Sequence, residues 1–210
     1  MLVIIGLLIG GVFVGQSLIH NAQLNGVITE YNRWQTAVKS FQQQYQTLPG
    51  DMTNATALWG VAAGTNGTDA TCGNATESTT ATCNGNGDGY LQWPAQGGGS
   101  GNVYESILFW KHLANAKMIE GSFTGTGGVI FGTNAPASKF GNGVGWTVYI
   151  AGWVIQPGLG NSTWFNADYA DTVNVYLLGA SNGGGAGNAP AMTPKDAWSI
   201  DSVLPARVRR

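Results

Sequence analysis

The polarity pattern along the chain falls into three regimes. Residues 1–15, MLVIIGLLIGGVFVG, are apolar without interruption and end at Gln16. Leu18 and Ile19 extend the run weakly, and no Asp, Glu, Lys or Arg occurs before Glu30. From Leu24 the pattern becomes periodic. Leu24, Val27, Tyr31, Trp34, Val38, Phe41, Tyr45 and Leu48 recur at alternating intervals of three and four, the heptad stripe of an amphipathic helix. Gln, Asn and Thr, with Glu30, Arg33 and Lys39, fill the other faces. No proline interrupts before Pro49, so the pattern predicts one helix from the apolar run to about Thr47, stopped by Pro49 and Gly50. At a rise of 1.5 Å per residue it is roughly 70 Å long. A head built from the rest of the chain cannot bury such a rod. Its first half must meet lipid or other copies of itself.

The third regime is less regular. Residues 50–101 are rich in Gly, Thr, Asn and Ala and read as a long surface loop. Val103, Ile107, Trp110 and Ala114 form a stripe that predicts a helix over about 103–117, capped by Asn102 or Ser100, with Gly121 beyond its end. Gly128–Phe131, Trp146–Ile155 and Thr172–Leu178 are rich in β-branched and aromatic residues between Gly/Asn turns, and read as strands. Thr193, Pro194 and Asp196 read as an N-cap, a first-turn proline and a first-turn acid, predicting a short helix near 194–200. The expected fold class is therefore α+β. A long N-terminal helix, with an apolar half and an amphipathic half, packs on a small antiparallel sheet. The expected divisions are 1–22 as the apolar helix, 23–48 as its amphipathic continuation, and 49–210 as the Gly-rich head.

Composition narrows the class. Apolar residues make up 43%, enough for a core, whereas charged residues make up 10% against the ~25% usual in soluble domains. With Gly at 33 and abundant small polar residues, the balance suits an extracellular or surface protein. Net charge is −2 and there is no basic stripe, so a nucleic-acid footprint is absent. Arg207, Arg209 and Arg210 read as a solvated tail. Cys72 and Cys83 flank a polar stretch without metal-ligand spacing and read as a disulfide, which implies an oxidising compartment.

Three readings compete for the first segment. A secretory signal wants a basic start, and none is present. A buried core helix would show a polar stripe. A transmembrane helix whose beginning precedes Met1 fits best, since fifteen apolar residues fall short of the ~20 a span needs. Gly6, Gly10, Gly11 and Gly15 make two G-x-x-x-G spacings, which place glycines on one face where another helix can approach. The competing reading is the general abundance of Gly in membrane helices.

Candidate chemistry is sparse. Asn84, Asn86 and Asp88 alternate before Gly89, imitating the first half of a calcium loop. The position of its far-end acid is Ala95, although Glu105 could reach back. An Asn/Gly turn explains the same residues more simply. His112, in the second helix without a nearby acid, reads as a packing or surface residue. No nucleophile motif, metal pair, phosphate loop or Cys/His dyad occurs, so no enzyme, catalytic residue or cofactor is expected. Sequons at Asn54, Asn66, Asn74 and Asn161 are those expected by chance in a chain so rich in Asn and Thr.

Several stretches together resemble one bacterial branch of the prepilin-type proteins, the type IV pilins and type II secretion pseudopilins. They are IIGLLIGGVFVGQSLIHNAQL, YNRWQTAVKSFQQQYQTLPGDMTNATALWG, ESILFWKHLANAKMIEGSF and TPKDAWSIDS, in order along the chain. The LPGDM turn and the FW-x-HLA helix are its more specific parts. The resemblance implies a structural filament subunit with a pilin-like fold. It implies assembly through the apolar helix with copies of itself or other pilins. It also implies a single-pass bacterial inner-membrane placement beforehand, with the head periplasmic or on a filament outside. Its other outcome is a membrane-anchored adhesin or minor pilin, with Trp153 and Trp164 as candidates for ligand contact, although core packing is the simpler reading of both. Such precursors carry a basic leader, a Gly before the cleavage point and a glutamate soon after it. Aligning the glycines places Met1 about eight residues past that point, so the resemblance implies a longer chain upstream.

Overall fold

The computed structural model describes residues 2–76, 80–91, 105–141, 143–150, 174–181 and 189–204. Helix α1 runs Leu2–Tyr45, α2 Ala55–Trp59, α3 Glu105–Asn115 and α4 Pro194–Asp201. A short 3-10 helix covers Asp69–Asn74. Strands β1 (Val144–Ile150) and β2 (Asn174–Ala180) pair antiparallel, with Trp146 opposite Leu178 and Val148 opposite Tyr176. The fold is α+β, as the periodicities imply.

The unbroken α1 follows from its composition: no proline, and glycines only where the apolar stretch or the tolerant interior carries them. It spans roughly 65 Å. Its second half is the spine of the core. Val27, Trp34, Ala37 and Phe41 are buried, while Leu24, Tyr31, Val38 and Tyr45 are partly covered and pack against the same cluster. An aromatic array knits helix to sheet. Trp34 meets Trp110 edge-on at 5.3 Å, and Tyr176 of β2 takes Tyr31, Phe109 and Trp146 edge-on at 5.9, 6.1 and 6.5 Å. Such pairs each contribute about 0.5–1.5 kcal/mol beyond area burial. Helix α4 starts as its sequence predicts: Thr193 Oγ1 accepts from the Asp196 amide and Pro194 occupies the first turn.

Three expectations are corrected. Gly128–Phe131 is not a strand. Asn134 holds this segment as a turn, its Oδ1 accepting from the Ile130 amide at 2.7 Å and its Nδ2 donating to Thr126 and Gly128 carbonyls. One side chain thus satisfies the backbone groups a ladder would have used. Glu30 does not lie on an outer face but is 8% exposed. It shares the i, i+3, i+7 row with Val27 and Trp34, so the stripe carries it inward.

The third correction concerns location. Among the described residues, no helix is long and apolar enough to cross a membrane. The apolar run closes at Gln16, and Ser17, His20 and Asn21 follow at once. Fifteen residues make roughly 22 Å of helix against a ~30 Å hydrocarbon core. The expected single-pass inner-membrane placement is therefore not supported. The expected strand over Trp146–Ile155 begins in β1, and its end lies outside the described residues, as do Trp153, Trp164, Asn161 and the Arg207–Arg210 tail.

Candidate functional site

Two features stand apart from the core. The first is the free end of α1. Ile4, Val12, Phe13, Val14, Leu18 and Ile19 are all exposed, Phe13 at 67% and Leu18 at 65%. Consecutive positions 12, 13 and 14 step about 100° around the axis, so apolar surface is exposed on several sides rather than along one seam. A Cβ added at Gly10, Gly11 or Gly15 would meet nothing within 4 Å. Gly6 lies in the same helix. Among the described residues, nothing from the head approaches Gly10, Gly11 or Gly15.

Two polar fastenings hold the head to the base of this free end. Glu30 accepts from Ser138 Oγ at 2.7 Å, the Lys139 amide at 2.8 Å and Trp146 Nε1 at 2.8 Å. A buried carboxylate is tolerated because three donors replace its water. Nearer the free end, His20 Nε2 meets Asp196 Oδ1 at 2.9 Å, and Thr193 Oγ1 donates to Asp196 Oδ2 at 2.7 Å. His20 and Thr193 hold the Asp196 carboxyl below its usual range. The C-terminal helix is thereby pinned to α1.

The second feature is a carboxylate cluster. Oxygen atoms of Asp51, Asp88 and Glu105 all lie within 4.8 Å of one another. They come from the turn after α1, the Asn/Gly loop and the first residue of α3. Two glycines permit the approach. Gly50 has φ +89°, and a Cβ there would run into the Glu105 carbonyl oxygen. A Cβ at Gly85 would strike the Gly50–Asp51 backbone. Asp51 receives the Gly87 amide at 2.6 Å and the Gly89 amide at 2.9 Å, while Glu105 receives the Asn86 amide at 2.9 Å. Burial first, and the Asp88 charge second, push the Asp51 carboxyl up despite those amides.

The three sequence candidates for a calcium loop divide here. Asp88 joins the cluster. Asn86 supports it, its Nδ2 donating to Asp88 Oδ2 at 3.0 Å and its Oδ1 accepting from the Asp88 amide. Asn84 turns away, its Oδ1 accepting from the Thr56 amide at the start of α2. Glu105 does reach back, as its position allowed. Asp51 was missed, and no local signal marks it, because its partners lie 37 and 54 residues on. Asp51, Asp88 and Glu105 are the residues that could hold a hard divalent cation, being all-oxygen donors.

Behind this cluster, His112 is wholly buried. Its Nδ1 accepts from the Gly50 amide at 3.0 Å, so the proton sits on Nε2, which meets Thr82 Oγ1 at 3.0 Å and the Cys83 carbonyl at 3.2 Å. Burial pulls its pKa down to about 3. It is a packing residue, as expected, and it ties the turn after α1 to the Cys72–Cys83 disulfide, which forms as its spacing implies.

No family model, no curated protein and no solved structure matches the chain.

Proposed function

We propose that the chain is a structural subunit of a filament of the pilus or pseudopilus kind, assembling through the free end of α1 with copies of itself or like subunits. One observation carries this reading: large apolar side chains stand exposed on several sides of a helix that no described part of the head covers. Burying each of Val12, Phe13, Val14, Leu18 and Ile19 is worth about 1.5–3 kcal/mol. The sum, roughly 10 kcal/mol, is of the size needed to offset the ~4–15 kcal/mol that association costs in lost freedom. The rigid head contributes a fixed exit direction, set by Glu30 and by the His20–Asp196 pair. The resemblance of the LPGDM turn and the helix around Phe109 and His112 to prepilin-type proteins supports the same reading.

The test compares the intact chain with Phe13→Glu/Leu18→Glu by sedimentation and electron microscopy. The parent is expected to form large assemblies and the double variant to remain monomeric with an unchanged circular dichroism spectrum. Equal assembly of both would sink the reading.

A further inference from the structure

We propose that Asn86 is a self-modification site, at which the Gly87 nitrogen attacks the Asn86 carboxamide with Asp51 as general base, so that the loop deamidates. Three contacts equip it. Asp51 Oδ1 accepts the Gly87 N–H at 2.6 Å, within the reach a general base needs. Asn86 Oδ1 accepts from the Asp88 amide at 2.9 Å, so a donor already stands where negative charge develops on that oxygen. Asn86 Nδ2 donates to Asp88 Oδ2 at 3.0 Å, which sets a carboxylate beside the departing nitrogen.

The same bonds shape the residue for attack. The Oδ1–Asp88 bond makes an Asx turn, which curls the Asn86 carboxamide back over the peptide that carries the Gly87 nitrogen. Glu105 holds the Asn86 amide at 2.9 Å and fixes the backbone on the other side. Gly87 has no Cβ to shield its nitrogen. Asn86, Gly87 and Asp88 are exposed, so water reaches the product.

The step balances. The Gly87 N–H proton passes to Asp51 as the nitrogen bonds to Asn86 Cγ and closes a five-membered ring. The bond from Cγ to Nδ2 then breaks. The proton taken by Asp51, relayed by the neighbouring Asp88 carboxyl, completes the ammonia that leaves. Water opens the succinimide to aspartate or isoaspartate at position 86, and nothing is oxidised or reduced. Either product adds a negative charge beside Asp88 and Glu105. Isoaspartate also lengthens the main chain by a methylene, which pulls the Gly87 and Gly89 amides off Asp51 and loosens the contact between the turn after α1 and the start of α3.

The chain carries its own controls. Asn66 Oδ1 makes the same turn with the Thr68 amide, but the Gly67 amide that follows it goes to Thr65 Oγ1. The Gly85 amide after Asn84 goes to the Met52 carbonyl. A hydroxyl and a carbonyl are far weaker bases than a carboxylate, so these Asn-Gly pairs differ from Asn86–Gly87 in what activates the nucleophile.

The full, folded chain is incubated at neutral pH, and deamidation at each Asn is followed by fragmentation mass spectrometry. Asn86 is expected to react at least tenfold faster than Asn66 or Asn84, below the 10²–10⁴ that a well-placed base supplies. Its lead is expected to vanish in urea, where all of these pairs lose their surroundings. Asp51→Asn is expected to slow Asn86 towards the rate of the others and leave Asn66 unchanged. A folded parent in which Asn86 is no faster than Asn66 and Asn84 overturns the proposal, whether or not the variant folds. Faster loss of Asn86 in a natively folded Asp51→Asn also overturns it, since the carboxylate would then shield the amide rather than activate it.

Discussion

Glu30 of α1 accepts a hydrogen bond from the indole nitrogen of Trp146 in β1 at 2.8 Å, across 116 residues of sequence. The same carboxylate holds Ser138 and the Lys139 amide, so one side chain sets the position of the sheet along the long helix. Its burial is stabilising only while all three donors are in place.

Removing that acceptor leaves buried donors without partners, each costing about 1–3 kcal/mol. Glu30→Ala is expected to lower stability by about 3 kcal/mol or more, and Trp146→Phe by about 1.5–3 kcal/mol, the range for a bond to a charged group. Urea unfolding of the two single variants and the double variant gives their coupling. Strict additivity would show that the pair does not act as a unit.

Acid should destabilise the fold through His112. Its folded pKa, about 3, lies below the ordinary 6.5, so the unfolded chain binds the proton first. Stability is fully present above pH 6.5 and falls at up to about 1.4 kcal/mol per pH unit on going down towards pH 3. Asp196 acts in the same sense: its depressed carboxyl contributes above its unfolded pKa and loses that contribution as pH falls through the folded one. Asp51, pushed up, acts oppositely. Melting temperature against pH for the parent and His112→Gln should show a shallower slope between pH 6.5 and 4 in the variant. Identical slopes would exclude His112 as the source.

Cys72 and Cys83 are both buried, with their Cα atoms 5.9 Å apart. The bridge closes a loop short enough that Cys72→Ala/Cys83→Ala is expected to cost about 3 kcal/mol by the chain-entropy estimate. Chemical denaturation of the double variant measures it. Because the Cys83 carbonyl also meets His112, the loss should extend to the turn at Gly50, read as faster amide exchange there.

Neutralising one member of the carboxylate cluster should relax another. Asp88→Asn removes a charge that raises Asp51, so the Asp51 pKa is expected to fall, read by carboxyl ¹³C shifts on titration. Calcium titration of the same two proteins separates a cation site from a self-contained turn. A site gives carboxyl shifts and a higher melting temperature in the parent alone, and a hydrogen-bonded turn gives neither.

Much of the fold was legible in the chain because it is local. The stripe through Val27, Trp34 and Phe41 announces both the long helix and the face it buries, since periodicity is a property of a single element. Thr193, Pro194 and Asp196 start α4 through contacts within one turn. The two cysteines close a short loop. The apolar run to Val14 is visible without any structure, and so is its lack of charge.

Other features were decided only by tertiary structure. Periodicity tells which side of a helix faces inward but not what waits there. Glu30 therefore read as a surface charge until Ser138, Lys139 and Trp146 were brought against it. Asp51, Asp88 and Glu105 meet because two glycines let separate loops cross at backbone distance. Each of these depends on segments far apart in sequence, and only the packed chain determines which of them become neighbours.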